Sequence, residues 1–333
     1  MSLSTRICSI ILLSITICLS AGEVDPYLVW NHSLRDASDV LNRYYNRKIN
    51  EVLANLPEDC SCETAAGDIL KYFGVTLNAP VEKWIKLSNQ IQKFPDKKTD
   101  KNILFRKSIY WKPGTPAVEK GQMISLDVML DQSINVNGIF IGVDKLTHFT
   151  GSGYLYYKRY LFARKRGDSK LQAMEKAIDL GIISENNILG RYGTGVFSFA
   201  DLEANFQGLL LGLDLCQNGK TRLKKNRSRW TLDEPFDIRN YVNPNWNEAY
   251  NPSYYYEGKN LSLFPKSITV LTNLPKYCEM FNSQPIQELF IKYNAASVPS
   301  FSVQYLRKLI QAKDIPNSRL FDIRKICPKK ALD

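Results

Sequence analysis

The sequence predicts a mainly α-helical fold: a soluble helical core, one small β-hairpin and a loop-rich, aromatic C-terminal layer. Apolar residues recur at helical spacing over long stretches, above all between residues 144 and 215. The dipeptide Asn137-Gly138 separates two short apolar runs, which is the strongest local signal for a hairpin. After Cys216, aromatic residues stand among Asn, Pro and Asp, a composition typical of irregular structure packed over helices.

The composition is that of a globular chain with a basic surface. The 333 residues suffice for one large domain or two ordinary ones, and 44% hydrophobic with 23% charged residues are ordinary proportions. A formal net charge of +11 favours an anionic envelope component as partner, and the aromatic C-terminal third favours a carbohydrate. The basic residues cluster only at 220–229, where a solvated surface loop is expected, so no specific nucleic-acid interface is predicted.

The first residues have the pattern of a secretory signal peptide. Arg6 precedes the apolar run Ile7 to Leu19, and the small residues Ser20 to Gly22 predict cleavage near residue 21–23. Because neither this run nor any later one suits a membrane span, we expect an exported, periplasmic or secreted chain without a transmembrane segment. The predicted parts are the signal peptide at 1–22, an N-terminal helical region at 23–121, a helical core with a polar site at 122–216 and a loop-rich C-terminal region at 217–333.

Export makes disulfides available to the five cysteines that follow the signal. Cys278 and Cys327 both lie in the last third and are the preferred pair. Cys60 and Cys62 are too close for a relaxed mutual bond, so at least one of them is expected to pair elsewhere. A C-x-x-C pair with histidine partners is missing from the sequence, which argues against a structural zinc site.

Three helices are expected in the N-terminal region, at 33–56, 61–73 and 80–91, followed by a polar, proline-marked surface connection at 93–121. Along the first helix, Asn42, Asn46 and Asn50 form a stripe of amides one turn apart. Such a stripe suits either the binding of a sugar or a backbone, or a solvated or interhelical hydrogen-bonding face, and these interpretations stay open.

The core should contain three longer helices, which begin after Asp144, at Ser169 and at Ser198. The first ends at Gly167, the kind of residue that commonly follows a helix. On a regular helix His148 shares its face with Asp144 and Gly151, and also with Leu155 and Phe162. We therefore expect Leu155 and Phe162 to point inward with the histidine.

Polar residues interrupt the apolar faces of the second and third core helices. Glu185 is centred on an apolar face, so it must be neutral or paired, and Arg191 is an available partner. On the third helix Asp201 and Asn205 share an inward stripe with Gly208 and Gly212. Glu203 and Gln207 lie on the opposite face, where solvent is expected. Asp201 and Asp144 also suit helix-capping roles.

Together these residues predict one polar site. In the catalytic interpretation Glu185 and His148 are acid and base, and Asp201 orients or stabilises. Asn205, Arg191 and Asp144 bind substrate in that interpretation. In a variant, Asp144, His148, Glu185 and Asp201 hold a divalent metal. A Ser-His-Asp hydrolase using Ser152 is a weaker alternative, since the G-x-S-x-G pattern does not occur.

The same positions carry a family resemblance. The order Asp144-Lys145-x-x-His148-Phe149, then Glu185, Arg191 and Asp201-x-x-x-Asn205-x-x-Gly208 resembles the motifs of the VanZ-like family and related bacterial envelope proteins. The match covers residues 142–212. It implies an envelope setting and a link to glycopeptide resistance, without a defined reaction. Family members are similar to small multi-helix membrane proteins, whereas the charged helices here are expected to be soluble.

Two functions follow as expectations. The first is an exported envelope hydrolase or transferase that uses this site. The second is a non-catalytic envelope binding or scaffold protein whose polar cluster is a structural network. Exposure of Glu185 and His148 discriminates between them, because a catalytic site must open to its substrate, whereas a structural network can be sealed.

Overall fold

The computed structural model describes residues 23–74, 79–112, 130–187, 190–217, 222–257 and 267–327. Within these ranges the chain is mainly helical, as predicted. The helices of the first two thirds are α1 (Ser38–Ala54), α2 (Cys62–Gly74), α3 (Pro80–Leu87), α4 (Lys101–Lys107), α5 (Asp144–Thr147), α6 (Gly153–Lys165), α7 (Lys170–Asn186) and α8 (Phe199–Cys216). Those of the last third are α9 (Ser267–Asn273), α10 (Cys278–Phe281), α11 (Gln284–Ala296), α12 (Phe301–Ala312) and α13 (Ile323–Ile326).

Strands are short and form three antiparallel pairs in the described ranges. They are β1 (Ser133–Val136) with β2 (Ile139–Gly142), β3 (Val196–Phe197) with β6 (Tyr254–Tyr255), and β4 (Leu223–Asn226) with β5 (Arg229–Leu232). The first pair is the predicted hairpin. Its turn residues Asn137 and Gly138 have φ of 55° and 79°, the left-handed conformation that this dipeptide tolerates. Helix α5 begins at Asp144, two residues after the hairpin ends at Gly142.

Helix α8 lies at the centre of the molecule and is buried on nearly all sides. Helices α6, α7 and α2 pack on it, and α12 covers a further face. The expectation that Glu203 and Gln207 face solvent is therefore wrong, since both are buried. The Glu203 carboxylate accepts hydrogen bonds from Ser300 Oγ (2.6 Å), Gln207 Nε2 (2.8 Å) and Asn243 Nδ2 (2.9 Å). The C-terminal region packs on the face of α8 that helical periodicity alone predicted to be exposed to solvent.

A five-residue π-helical segment, His148–Ser152, joins α5 to α6. A π turn holds more residues than an α turn, so it rotates everything that follows relative to a regular helix. As a result Leu155 and Phe162 point outward, 50% and 51% exposed, and the prediction of their inward placement is wrong. The inward positions of α6 are taken by Tyr156, Tyr157, Tyr160 and Ala163.

The amide stripe of α1 binds the backbone of a distant segment. Asn42 accepts from Ile238 N and Asn46 accepts from Phe236 N, each at 2.8 Å, and Asn46 Nδ2 also donates to Phe236 O. For these two residues the interpretation that the stripe binds a backbone is the one that the contacts support. In the connection expected at 93–121, residues 101–107 form α4, capped by Asp100, and residues 113–121 lie outside the described ranges.

Two disulfides tie the structure together. Cys278 pairs with Cys327, as predicted, and Cys62 pairs with Cys216, which joins the start of α2 to the end of α8. Cys60 is a buried free thiol. In the C-terminal region the sequence predicts at most one or two short helices, after Pro285 and Val303. Helices α11 and α12 lie there and have 13 and 12 residues, and the β4–β5 hairpin was not predicted.

None of the helices in the described part of the chain combines the length and the hydropathy needed to cross a bilayer. The predicted signal peptide, residues 1–22, lies outside the described ranges.

Candidate functional site

The centre of the polar cluster is Lys145, whose side chain is only 2% exposed. Its ammonium lies 2.6 Å from Asp144 Oδ2, 2.7 Å from Asp201 Oδ1 and 2.9 Å from Glu248 Oε1. These carboxylates come from α5, from α8 and from the loop after Trp246. One buried cation therefore joins three separate parts of the fold, and burying an ammonium requires such partners.

His148 continues the network from the other oxygen of Asp201. Its Nε2 lies 3.2 Å from Asp201 Oδ2, and its Nδ1 lies 3.0 Å from Asn205 Oδ1. Asp201 and Asn205 are one turn apart on α8, so a single helix face holds both sides of the imidazole. Both ring nitrogens face oxygen atoms of the protein, and which of them donates a proton depends on the tautomer.

Glu185 lies on α7 and is only 4% exposed. Its Oε2 accepts a hydrogen bond from Ser198 N at 3.2 Å. Arg191 is not its partner: that guanidinium is exposed and lies over the rings of Tyr192 and Tyr256, 5.6 and 5.2 Å from their centroids. The structure thus brings Glu185 to the cluster through Ser198 and leaves Arg191 outside it.

Ser198 is the junction between the helices. Its hydroxyl donates to Glu248 Oε1 at 2.9 Å and accepts from Asp201 N at 3.2 Å, so it also caps α8. Glu248 is held in place by its neighbour Asn247, which donates to Phe140 O at 2.7 Å. The β1–β2 hairpin, α8 and the C-terminal region thereby meet at one point.

Burial dominates the electrostatics of these carboxyl groups. It raises the pKa of Glu185 well above the ordinary value, with the charge of Asp201 adding to the effect. It also raises the pKa of Glu248 and of Asp144, although Lys145 opposes both shifts. For Asp201 burial acts in the same direction, but His148 and Lys145 outweigh it and hold the pKa below the ordinary value.

These pKa shifts favour opposite charges on two members of the cluster. Asp201 is the carboxylate most stabilised as an anion, and Lys145 is held as a cation because its three carboxylate neighbours raise its pKa despite burial. Glu185 is harder to ionise than an ordinary glutamate, because burial and the charge of Asp201 raise its pKa. A fifth carboxyl group, Glu23, belongs to the same cluster, where burial followed by Glu248 and Asp201 raises its pKa to about 8.

Glycines allow the helices to approach closely enough for these contacts. A Cβ at Gly208 on α8 would overlap the carbonyl oxygen of Phe149 and come within 2.8 Å of the Gly153 Cα. Similarly, a Cβ at Gly151 would overlap the carbonyl oxygen of Gly74 at the end of α2. The π segment that carries His148 is therefore in direct backbone contact with two helices.

A metal ion has one candidate location among the described residues. One ligand atom each from Asp144, His148 and Asp201 lies within 4.8 Å of the others, and Glu185 is not a member of this group. Asp144 Oδ1 has no hydrogen-bond partner in the described part of the chain. The Lys145 ammonium, however, already contacts both aspartates, so a positive charge from the protein itself occupies the space between them.

Solvent reaches the cluster at His148 and Asp201, whose side chains are 14% and 13% exposed, and at Glu23, which is partly exposed. Asp144, Lys145, Glu185, Asn205 and Glu248 are all buried. Ser152 has no part in the contacts of His148, because both imidazole nitrogens face Asp201 and Asn205.

The sequence pointed to five of the residues that meet here and missed three. Asp144, His148, Glu185, Asp201 and Asn205 were expected, whereas Lys145, Glu248 and Glu23 were not assigned a role. Lys145 stands inside the motif and was available as a signal. Glu248 and Glu23 lie in loops without periodicity, where the sequence offers no sign of burial.

A comparison of the chain with protein-family models, with curated proteins and with solved structures found no match.

Proposed function

We propose that the chain is an exported protein of the cell envelope that serves as a non-catalytic binding or scaffold protein, with the polar cluster as its internal framework. The observation that carries this proposal is the position of Lys145, buried and in contact with carboxylates from three parts of the fold. A lysine so engaged is not available to bind a substrate, and three of the cluster's carboxylates are held by it.

His148 supports the same interpretation. A general base needs one ring nitrogen directed at its substrate, whereas both nitrogens of His148 are engaged by Asp201 and Asn205. The glycine contacts account for Gly208 and Gly151 as packing positions. Each motif residue from Asp144 to Gly208 that lies in the cluster thus has a sufficient structural role.

Export is supported by two disulfides, the covalent chemistry of oxidising compartments. The motif resemblance to VanZ-like envelope proteins points to the same location. The proposal includes cleavage of the signal peptide near residue 21–23.

A second candidate, an envelope hydrolase or transferase, is favoured by one observation. His148 and Asp201 are in contact and both are partly exposed to solvent. In that case a substrate would approach at these two side chains, and Asp201 would orient the imidazole.

Complementation separates the two candidates. His148→Gln and Glu185→Gln would be tested in a strain that lacks the gene, with the abundance of each variant measured alongside the envelope phenotype. For a structural cluster, the phenotype falls only in proportion to protein abundance. Loss of phenotype at normal abundance of folded His148→Gln protein would overturn the proposal in favour of the enzyme.

A further inference from the structure

The outer face of α6 is an unpartnered strip of alternating apolar and basic side chains. At 100° per residue, Leu155, Arg159, Phe162 and Arg166 fall within about 60° of one another around the helix. All four are exposed, including half of the surface of both apolar residues. We call these four residues the α6 strip.

The opposite face of the same helix is firmly anchored. Tyr156, Tyr157, Tyr160 and Ala163 are buried against α7, α8 and α2. The π segment fixes this orientation, because its extra residue turns Leu155 and Phe162 away from the core. The strip is therefore presented on a rigid support.

The chain segment that contains the strip is mostly basic. Residues 153–171 contain six basic residues and a single acidic one, Asp168. Asp168 is engaged by Lys176 at 2.6 Å, so it does not neutralise the strip. In the described part of the chain, Arg159 and Arg166 form no ion pair, and their guanidinium carbons lie 5.9 and 5.6 Å from the Phe162 ring centroid.

From this combination we propose that the α6 strip docks the protein on an anionic phospholipid surface. Arginines pair with lipid phosphates while exposed Leu and Phe side chains enter the boundary between headgroups and acyl chains. Leu171, in the first turn of α7, is a further exposed apolar side chain next to this region along the chain. Nucleic acid would satisfy the arginines but leave Leu155 and Phe162 without a suitable environment.

The basic β4–β5 hairpin, residues 222–232, lacks this combination. Lys224 pairs with Asp233 at 2.6 Å, and Lys225 lies over the Trp230 ring while donating to the backbone of residue 58. Arg227 and Arg229 remain exposed there and provide a matched control, because removing them changes the net charge equally.

This inference goes beyond the proposed function and rests on other residues, so it can fail while the account of the cluster stands. The test is flotation of the full exported chain with vesicles of phosphatidylcholine alone or mixed with phosphatidylglycerol. Binding should require phosphatidylglycerol and weaken with salt. The double variant Arg159→Gln, Arg166→Gln should bind at least about tenfold more weakly, as expected for two arginines at an anionic surface.

Phe162→Ser measures how much the apolar side chain contributes to vesicle binding. The control double variant Arg227→Gln, Arg229→Gln should bind like the parent chain. All variants are surface changes, and circular dichroism is used to check that each is folded. Leu155→Ser replaces Phe162→Ser if the latter fails this check. The proposal is overturned if the parent chain ignores phosphatidylglycerol, if the control loses as much binding as the strip variant, or if DNA competes equally through the same residues.

Discussion

The Lys145 ammonium lies 2.7 Å from Asp201 Oδ1, which joins the short helix after the hairpin to the central helix α8. The same aspartate holds His148 through its other oxygen. Asp201 thus contacts both Lys145 and His148, and the stability of the fold should depend on it.

Replacement of Lys145 by Met should destabilise the protein by about 3–5 kcal/mol, because it leaves buried carboxylates without their cation. Chemical unfolding measures this change. Lys176→Met is the control, since Lys176 pairs with Asp168 at the surface, is 45% exposed and should matter by at most about 1 kcal/mol. A Lys145→Met protein as stable as the control would contradict the buried network.

Glu23 should make stability depend on pH. Its pKa rises from an ordinary 4.5 to about 8 in the folded chain. Between these values the folded chain keeps a proton that the unfolded chain has lost, so stability falls as pH rises through this window. Glu23→Gln should reduce that fall in thermal unfolding, whereas the exposed Glu234→Gln should not. Identical slopes for the parent and Glu23→Gln would disprove the shift.

Gly208→Ala should cost about 1–3 kcal/mol or more, because the added methyl overlaps the carbonyl oxygen of Phe149. Gly67→Ala is the control, since its Cβ would meet only Tyr154 Cε2 at 3.7 Å. The control should be neutral or slightly stabilising, as Ala favours the helix by about 1 kcal/mol over Gly. Equal melting temperatures for the two variants would rule out the close helix contact.

Peptide mapping without reduction should recover two linked pairs, Cys62 with Cys216 and Cys278 with Cys327. Cys60 should be unmodified by alkylating reagents until the protein unfolds, because its thiol is buried and burial raises its pKa. A bond from Cys60 to any other cysteine would contradict the structure.

Local sequence patterns predicted the helices well. The features that these patterns missed depend on contacts or helix geometry that the local sequence does not reveal. The hairpin at Asn137-Gly138 and the start of α8 at Ser198 depend on neighbouring residues, so the sequence contained the necessary information. The outward turn of Phe162 depends on a π segment, which an assumed period of 3.6 residues cannot reveal.

In the polar cluster, too, helical spacing predicted some members, whereas long-range contacts position the others. His148, Asp201 and Asn205 were predicted to meet because helical spacing placed each on an inward face, and they do. Glu248 enters from an irregular loop that is positioned by Asn247 and the hairpin, a contact that no local pattern encodes. Lys145 was overlooked because lysine is rarely buried, and only its three carboxylate partners make that position favourable.

The most direct test of the structural role is a double-mutant cycle between His148→Gln and Asp201→Asn, measured as the free energy of unfolding. We expect each single change to destabilise the protein and the pair to be coupled by about 0.5–3 kcal/mol, as for residues in direct contact. Catalytic residues are often held at the expense of stability, so their removal tends to stabilise a protein. An increase in unfolding free energy in both single variants, or strictly additive effects, would contradict the account.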